Sequence, residues 1–154
     1  MGYHYEEFEI GQRYETPRRT LVDADVSQFA GLTADFNPLH MDEIFAAESD
    51  FGGRTAHGLM IIGMAFGLAS RAGLLDGTAL GLLDIGWKFM GPVRPGDTIS
   101  AVVHVTGKRL TRKLDRGVVE LALDVLNQRG ETVQAGTAKV LIRLKTPPAP
   151  PDEK

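Results

Sequence analysis

Cysteine is absent from the 154-residue chain, which excludes disulfides, thiolate nucleophiles and thiolate metal sites while leaving the compartment open. Neither sign of charge is in excess. Against 17 Lys and Arg stand 20 Asp and Glu, a net charge of -3, so no general affinity for nucleic acid is expected. Long apolar runs are missing too. The most apolar stretch, residues 59–69, falls far short of the ~20 residues that span a bilayer. The first residues carry neither the basic nor the apolar region of a secretory signal, and Glu6 stands where a myristoylation signal requires Ser or Thr. There is no Gly-rich phosphate loop, dinucleotide fingerprint or Gly-x-Ser-x-Gly motif. A cytoplasmic protein with no membrane or nucleic-acid partner is the expectation.

What is present is an ordinary globular composition, 43% hydrophobic and 24% charged, on a chain long enough for one substantial core. Residues 1–145 are expected to form a single domain, and 146–154, with four prolines, a disordered tail. Residues 14–21 read as extended. Asp23 or Asp25 is a candidate N-cap for a helix with Val26, Phe29, Ala30 and Leu32 on its apolar side. Pro38 disfavours helix at Asn37, so residues 35–40 are expected to be loop. Asp42 can cap a short helix through Ile44, Phe45 and Ala46.

Residues 57–75 form the longest helical candidate. They are apolar on nearly every side, which predicts a helix inside the protein. Beyond Asp76-Gly77 the pattern changes to four expected strands, at 78–90, 97–108, 117–127 and 132–145. Leu121, Leu123 and Val125 alternate with Glu120, Ala122 and Asp124, the period of a half-buried strand. Turns are expected at 94–97 and 127–130. One buried helix followed by long antiparallel strands implies an α+β domain whose sheet wraps the helix, the hot dog arrangement. Such a sheet leaves an edge strand open, and pairing across it would make a dimer.

The chemistry-bearing residues fall in one short segment: Asp35, Asn37, Pro38 and His40, then Phe51-Gly52-Gly53, then His57-Gly58 at the helix start. A carboxylate, an imidazole and unpaired helix amides are the parts needed to add or remove water beside a carbonyl. Asp35 and His40 are the candidate acid/base pair. Either residue alone reads equally as a structural loop group. Gly58 is the candidate donor to an oxygen gaining negative charge, or a glycine selected for packing.

Asn37 reads as a loop-shaping hydrogen bonder beside the substrate. His57 either lines the site or fills a buried structural role. Met60, Ile61, Met64, Phe66 and Leu68 read at helical spacing as core, with lining of an acyl tunnel as the alternative. Arg109, Arg112, Lys113 and Arg116 form a basic hairpin end that either meets phosphates or is solvated. His40, Asp42 and His57 match no helical metal-ligand spacing, and no metal is expected.

The ordering Asp35-x-Asn37-Pro38-x-His40-x-Asp42, Phe51-Gly52, Ala56-His57-Gly58, Trp87-Lys88-Phe89 and Pro92-Val93-Arg94-Pro95-Gly96-Asp97 resembles the MaoC-like dehydratases, which include R-specific enoyl-CoA hydratases. The resemblance runs from about Tyr5 to Leu144. It implies a hot dog subunit in a homodimer or a multiple of dimers, acting on acyl-CoA thioesters without a cofactor. It further implies a catalytic Asp35 and His40 and an oxyanion-binding amide at Gly58. One departure is Gly63, where several hydratases carry a Ser that orients the catalytic loop. The rivals are dehydration of a branched, dicarboxylic or carrier-protein-bound hydroxyacyl thioester, thioester hydrolysis, and a non-catalytic acyl-CoA-binding subunit.

Overall fold

A computed structural model describes residues 1–146, and the expected Pro-rich tail lies almost wholly outside them. A short 3-10 turn, Tyr5–Glu7, leads into β1 (Arg13–Glu15) and β2 (Arg19–Thr20). The single extended segment expected at 14–21 is thus two pieces, broken around Pro17, whose ring nitrogen cannot donate to a sheet. Helix α1 (Asp23–Thr33) follows. Its N-cap is Val22 rather than either aspartate, with the Asp25 carboxylate accepting the Val22 N–H at 3.0 Å.

Pro38 starts a helix instead of suppressing one. The short α2 (Pro38–Met41) has Pro at its first position, where the missing N–H costs nothing, and Asn37 as N-cap accepting the Leu39 amide at 3.0 Å. Asn37 itself stays non-helical (φ -51°, ψ 131°), as the residue before Pro should. Helix α3 (Glu43–Glu48) is capped by Asp42, which accepts the amides of Ile44 and Phe45 at 3.0 Å each.

Helix α4 (Gly58–Arg71) is shorter than expected and is buried on one side only. Met60, Ile61, Ala65, Leu68 and Ala69 face the core, whereas Leu59, Gly63 and Gly67 are exposed. The physical reason is that the sheet curls over one side of the helix and, among the described residues, nothing covers the other. Strands β3 (Ala79–Phe89), β4 (Thr98–Leu110), β5 (Arg116–Leu126) and β6 (Thr132–Arg143) lie within a few residues of their expected bounds. They pair antiparallel in the order β1-β4-β5-β6-β3, with β2 also on β4. The turn at 94–97 closes through the Asp97 amide on the Arg94 carbonyl, with Gly96 at φ 94°.

Apolar side chains from β4, β5 and β6 meet both ends of α4. One cluster joins Phe8, Ala69 and Leu74 to Val103, Val119, Leu121 and Val140; the other joins Leu21, Val26, Ile61 and Leu68 to Ile99, Ala101 and Val125. This is the hot dog fold. Strand β3 is an edge. Leu80, Leu82, Leu83, Ile85 and Phe89 along it are exposed. No helix among the described residues is long and apolar enough to cross a membrane.

Candidate active site

The site is built where α1 ends, α2 turns and α4 begins. Helix α1 stops at Ala34, which takes the left-handed conformation (φ 62°), unusual for a residue with a Cβ. Thr33 braces the reversal: its hydroxyl donates to the Phe29 carbonyl at 2.7 Å and accepts the Asp35 amide at 3.3 Å. Asp35 then accepts the Asn37 amide at 3.3 Å, so two successive side-chain turns carry the chain from Asp35 into α2.

Two arginines that the sequence did not single out for function hold this corner. Arg54 donates to Glu43 and to Asp23 at 2.6 Å each, tying α3 to the start of α1. Its guanidinium is held above its usual range by those bonds, Glu43 first and Asp23 second. Arg94 donates to the carbonyls of Phe51 and Arg54. Gly53 allows that approach, since a Cβ there would lie 2.9 Å from the Arg94 Nη1 and its φ is 156°.

The two imidazoles stack, with ring centroids 3.9 Å apart and planes at 32°. Each has one nitrogen whose protonation the geometry determines, because a carbonyl only accepts. His40 Nδ1 lies 2.7 Å from the Thr55 carbonyl and therefore carries a hydrogen, so in the neutral ring Nε2 is the bare nitrogen. His57 Nε2 lies 2.9 Å from the Asp35 backbone carbonyl and likewise donates. His57 is 2% exposed, packs on Phe29, and its Nδ1 has no partner among the described residues. It buttresses both His40 and the Asp35 backbone.

Donor atoms of Asp35, His40 and His57 all lie within 4.8 Å of one another. The Asp35 carboxylate lies 3.9 Å from His57 Nε2, and a cluster of this size has room for one water hydrogen-bonded at ~2.8 Å to two of its groups. The stacked rings, with planes at 32°, set their in-plane lone pairs nearly side by side rather than at one point, which disfavours a shared metal ion.

A cavity of about 380 Å³, within the usual range of small-molecule sites, opens beside His40. His40, Thr55, Gly58 and Gln134 supply its polar wall; Leu39, Phe51, Phe89 and Val93 supply apolar surface. Gly58, the first residue of α4, is part of this wall, and its amide has no intrahelical carbonyl to meet. A Cβ at Gly58 would lie 2.7 Å from the Phe89 ring.

The remaining candidates are placed differently. Asp35 flanks the cavity with a half-exposed side chain rather than lining it, Asn37 spends its side-chain oxygen on the α2 cap, and His57 lies behind His40. Gly63 is on the exposed side of α4 with nothing within 4 Å of a Cβ position. Met60, Ile61 and Leu68 are core, and none of the apolar α4 residues lines this cavity. Thr55 and Gln134 are polar cavity residues that the sequence does not single out. The alternation Gln134-x-Gly136-x-Ala138-x-Val140-x-Ile142 marks Gln134 as a lone amide on the inward face of β6.

A small cavity beside an imidazole, with a neighbouring carboxylate and a helix start, on a hot dog fold, is an arrangement suited to acid/base chemistry. The family described as MaoC like domain matches residues 6–126. Protein MaoC of Klebsiella aerogenes is 44% identical over 120 residues, covering 77% of this chain but only 35% of that protein. The (R)-specific enoyl-CoA hydratase of Aeromonas caviae is 33% identical over 132 residues, 86% of this chain and 93% of that enzyme. The crystal structure of the MaoC-like dehydratase from Rhodospirillum rubrum superposes with a TM-score of 0.82 at 32% identity, over 94% of this chain and 99% of that one. The chain belongs to the MaoC-like dehydratase family, whose members named as hydratases and dehydratases are hydro-lyases.

Proposed function

We propose that this protein catalyses the reversible hydration of a trans-2-enoyl-CoA to an (R)-3-hydroxyacyl-CoA. Asp35 and His40 share one water, and the Gly58 amide takes the charge that gathers on the thioester oxygen. In the hydration direction the water oxygen bonds to the β-carbon while one of its protons passes to the bare His40 Nε2 or to the Asp35 carboxylate. The π electrons move towards the thioester carbonyl, and a proton delivered to the α-carbon completes the product. The sum is alkene plus water, so the step balances without a cofactor. With acid and base on one side of the alkene, addition is syn.

The observation that carries this reading is the Thr55 carbonyl on His40 Nδ1. It leaves the other nitrogen free to accept a proton at the wall of a cavity that Gly58, the first residue of α4, also lines. The named activity of the Aeromonas caviae relative supports the substrate class and the R configuration. A homodimer fits the same reading: an exposed apolar edge strand beside the uncovered side of α4 is the surface a second copy would bury.

The test is the purified protein with crotonyl-CoA, followed by the loss of enoyl absorbance, free-thiol detection and chiral analysis of the product. Loss of absorbance without thiol, giving the R alcohol, is expected. Thiol release would make the protein a thioesterase, and no change with enoyl-CoA thioesters of any chain length would leave a binding subunit.

A further inference from the structure

Gln134 is 3% exposed, yet from β6 it lines the same cavity as His40 and Gly58. Its surroundings decide how its amide is turned. Trp87 Nε1 lies 2.9 Å from the amide, and an indole nitrogen can only donate, so the atom facing it is Oε1. The amide nitrogen is thereby aimed the other way, at the Gly58 carbonyl 3.3 Å off. No other assignment satisfies both partners, since exchanging the atoms would set a donor against a donor and an acceptor against an acceptor.

Sheet register places the indole. Trp87 is paired with Gly136 and Phe89 with Gln134, so Trp87 and Gln134 are diagonal neighbours on one face of the β3–β6 ladder. A Cβ at Gly136 would overlap the Trp87 ring; glycine lets the indole lie across β6 and reach Gln134. Phe66 of α4 covers the ring from above, with centroids 6.2 Å apart.

We infer that Gln134 is a positioning residue for the reaction proposed above: the chain Trp87–Gln134–Gly58 holds the opening of α4 so that its first amide meets the thioester oxygen as that oxygen gains charge. The inference rests on that functional reading. Its physical content is preorganisation. A donor already held in place need not reorient as negative charge develops, and a helix start free to tilt or fray must do so during the step. Gln134 grips the carbonyl of the same residue whose N–H is the donor, so a shift of one moves the other.

The experiment compares wild type, Gln134→Leu and Trp87→Phe. Leucine fills similar volume without an amide, and phenylalanine keeps an aromatic ring on Gly136 without the indole N–H. Three measurements are made: crotonyl-CoA kinetics, the dissociation constant of butyryl-CoA, and the ultraviolet band of the enolate that acetoacetyl-CoA forms on the enzyme. For Gln134→Leu, kcat should fall by about tenfold or more and the enolate band should weaken to match, while butyryl-CoA affinity stays within about threefold. Trp87→Phe should move kcat in the same direction by a smaller factor.

Unchanged kcat in Gln134→Leu overturns the inference. So does a parallel loss of kcat and butyryl-CoA affinity, which is what a merely structural glutamine would produce. A Trp87→Phe protein with wild-type kcat removes the indole from the chain and overturns the relay. Wild type that hydrates no enoyl-CoA overturns the functional reading itself, whereas active wild type with an equally active Gln134→Leu overturns this inference alone.

Discussion

Replacing Gly58 by proline isolates the amide from everything else about residue 58. Proline has no N–H, and at the first position of a helix that loss breaks no helical bond. The backbone also accepts it, because His57 before it is already extended (φ -58°, ψ 128°), the conformation a residue preceding proline adopts. Steric effects are controlled by Gly58→Ala. Its Cβ meets the Phe89 ring 2.7 Å away but keeps the N–H, and Phe89 is 56% exposed, free to swing outward. Both variants therefore push the same ring, and only one loses the donor.

Removal of one oxyanion donor costs about 2.7–4 kcal/mol, a factor of about 10²–10³ in kcat. The steric push on an exposed ring is worth at most about tenfold, about 1.4 kcal/mol. Crotonyl-CoA hydration by Gly58→Pro should thus fall well below that of Gly58→Ala, with equal thermal midpoints and equal butyryl-CoA affinity. Equal kcat in the two variants would refute the assignment of the amide.

Further outcomes follow from the same geometry. His40→Ala and Asp35→Asn should each lower kcat by about 10²–10⁴-fold with ligand affinity retained, since the asparagine oxygen can still accept the Asn37 amide; steady-state kinetics beside calorimetric titration checks both. Arg54→Ala removes two ion pairs whose carboxylates are 68% and 70% exposed, so about 1 kcal/mol is expected in all, a fall of about 2–4 °C in the melting midpoint by circular dichroism. If the proposed homodimer pairs across the open edge of β3, Leu83→Glu should shift it towards monomer in light scattering. Tyr14 has its pKa raised from 10.0 to about 12 by burial first and by Tyr3 and Glu9 second. Its neutral form is the one the fold favours, so its contribution to stability is complete below pH 10.0 and is lost as the pH rises to about 12, readable as a falling urea midpoint.

Much of this site is legible in the chain because its parts are close in sequence. Asp35, His40, His57 and Gly58 span one loop–helix segment, and the alternation in 120–125 places β5 with its inward face correct. The errors come from context. Pro38 forbids helix at Asn37 but permits it at its own position, which is why α2 stands where loop is expected. Helix α4 looked wholly interior because composition reports that a face is apolar without reporting what covers it. Arg54, Arg94 and Gln134 were silent for another reason. Their roles depend on partners 31, 43 and 76 residues away, and only register and chain reversal bring those together.

Strand order has a consequence for how this molecule is assembled. Among the described residues β3 finds its ladder only on β6, although β4 and β5 come between them in the chain and pair with each other. Until residues 132–143 are in place, the row of leucines on β3 has no neighbour on either side, a sticky interval during synthesis that nearest-neighbour hairpins avoid. Phe89 and Gln134 face one another across that final seam. The pocket is thus among the last features of the subunit to close, and a destabilised β6 would unmake catalysis and expose an aggregating edge at the same time.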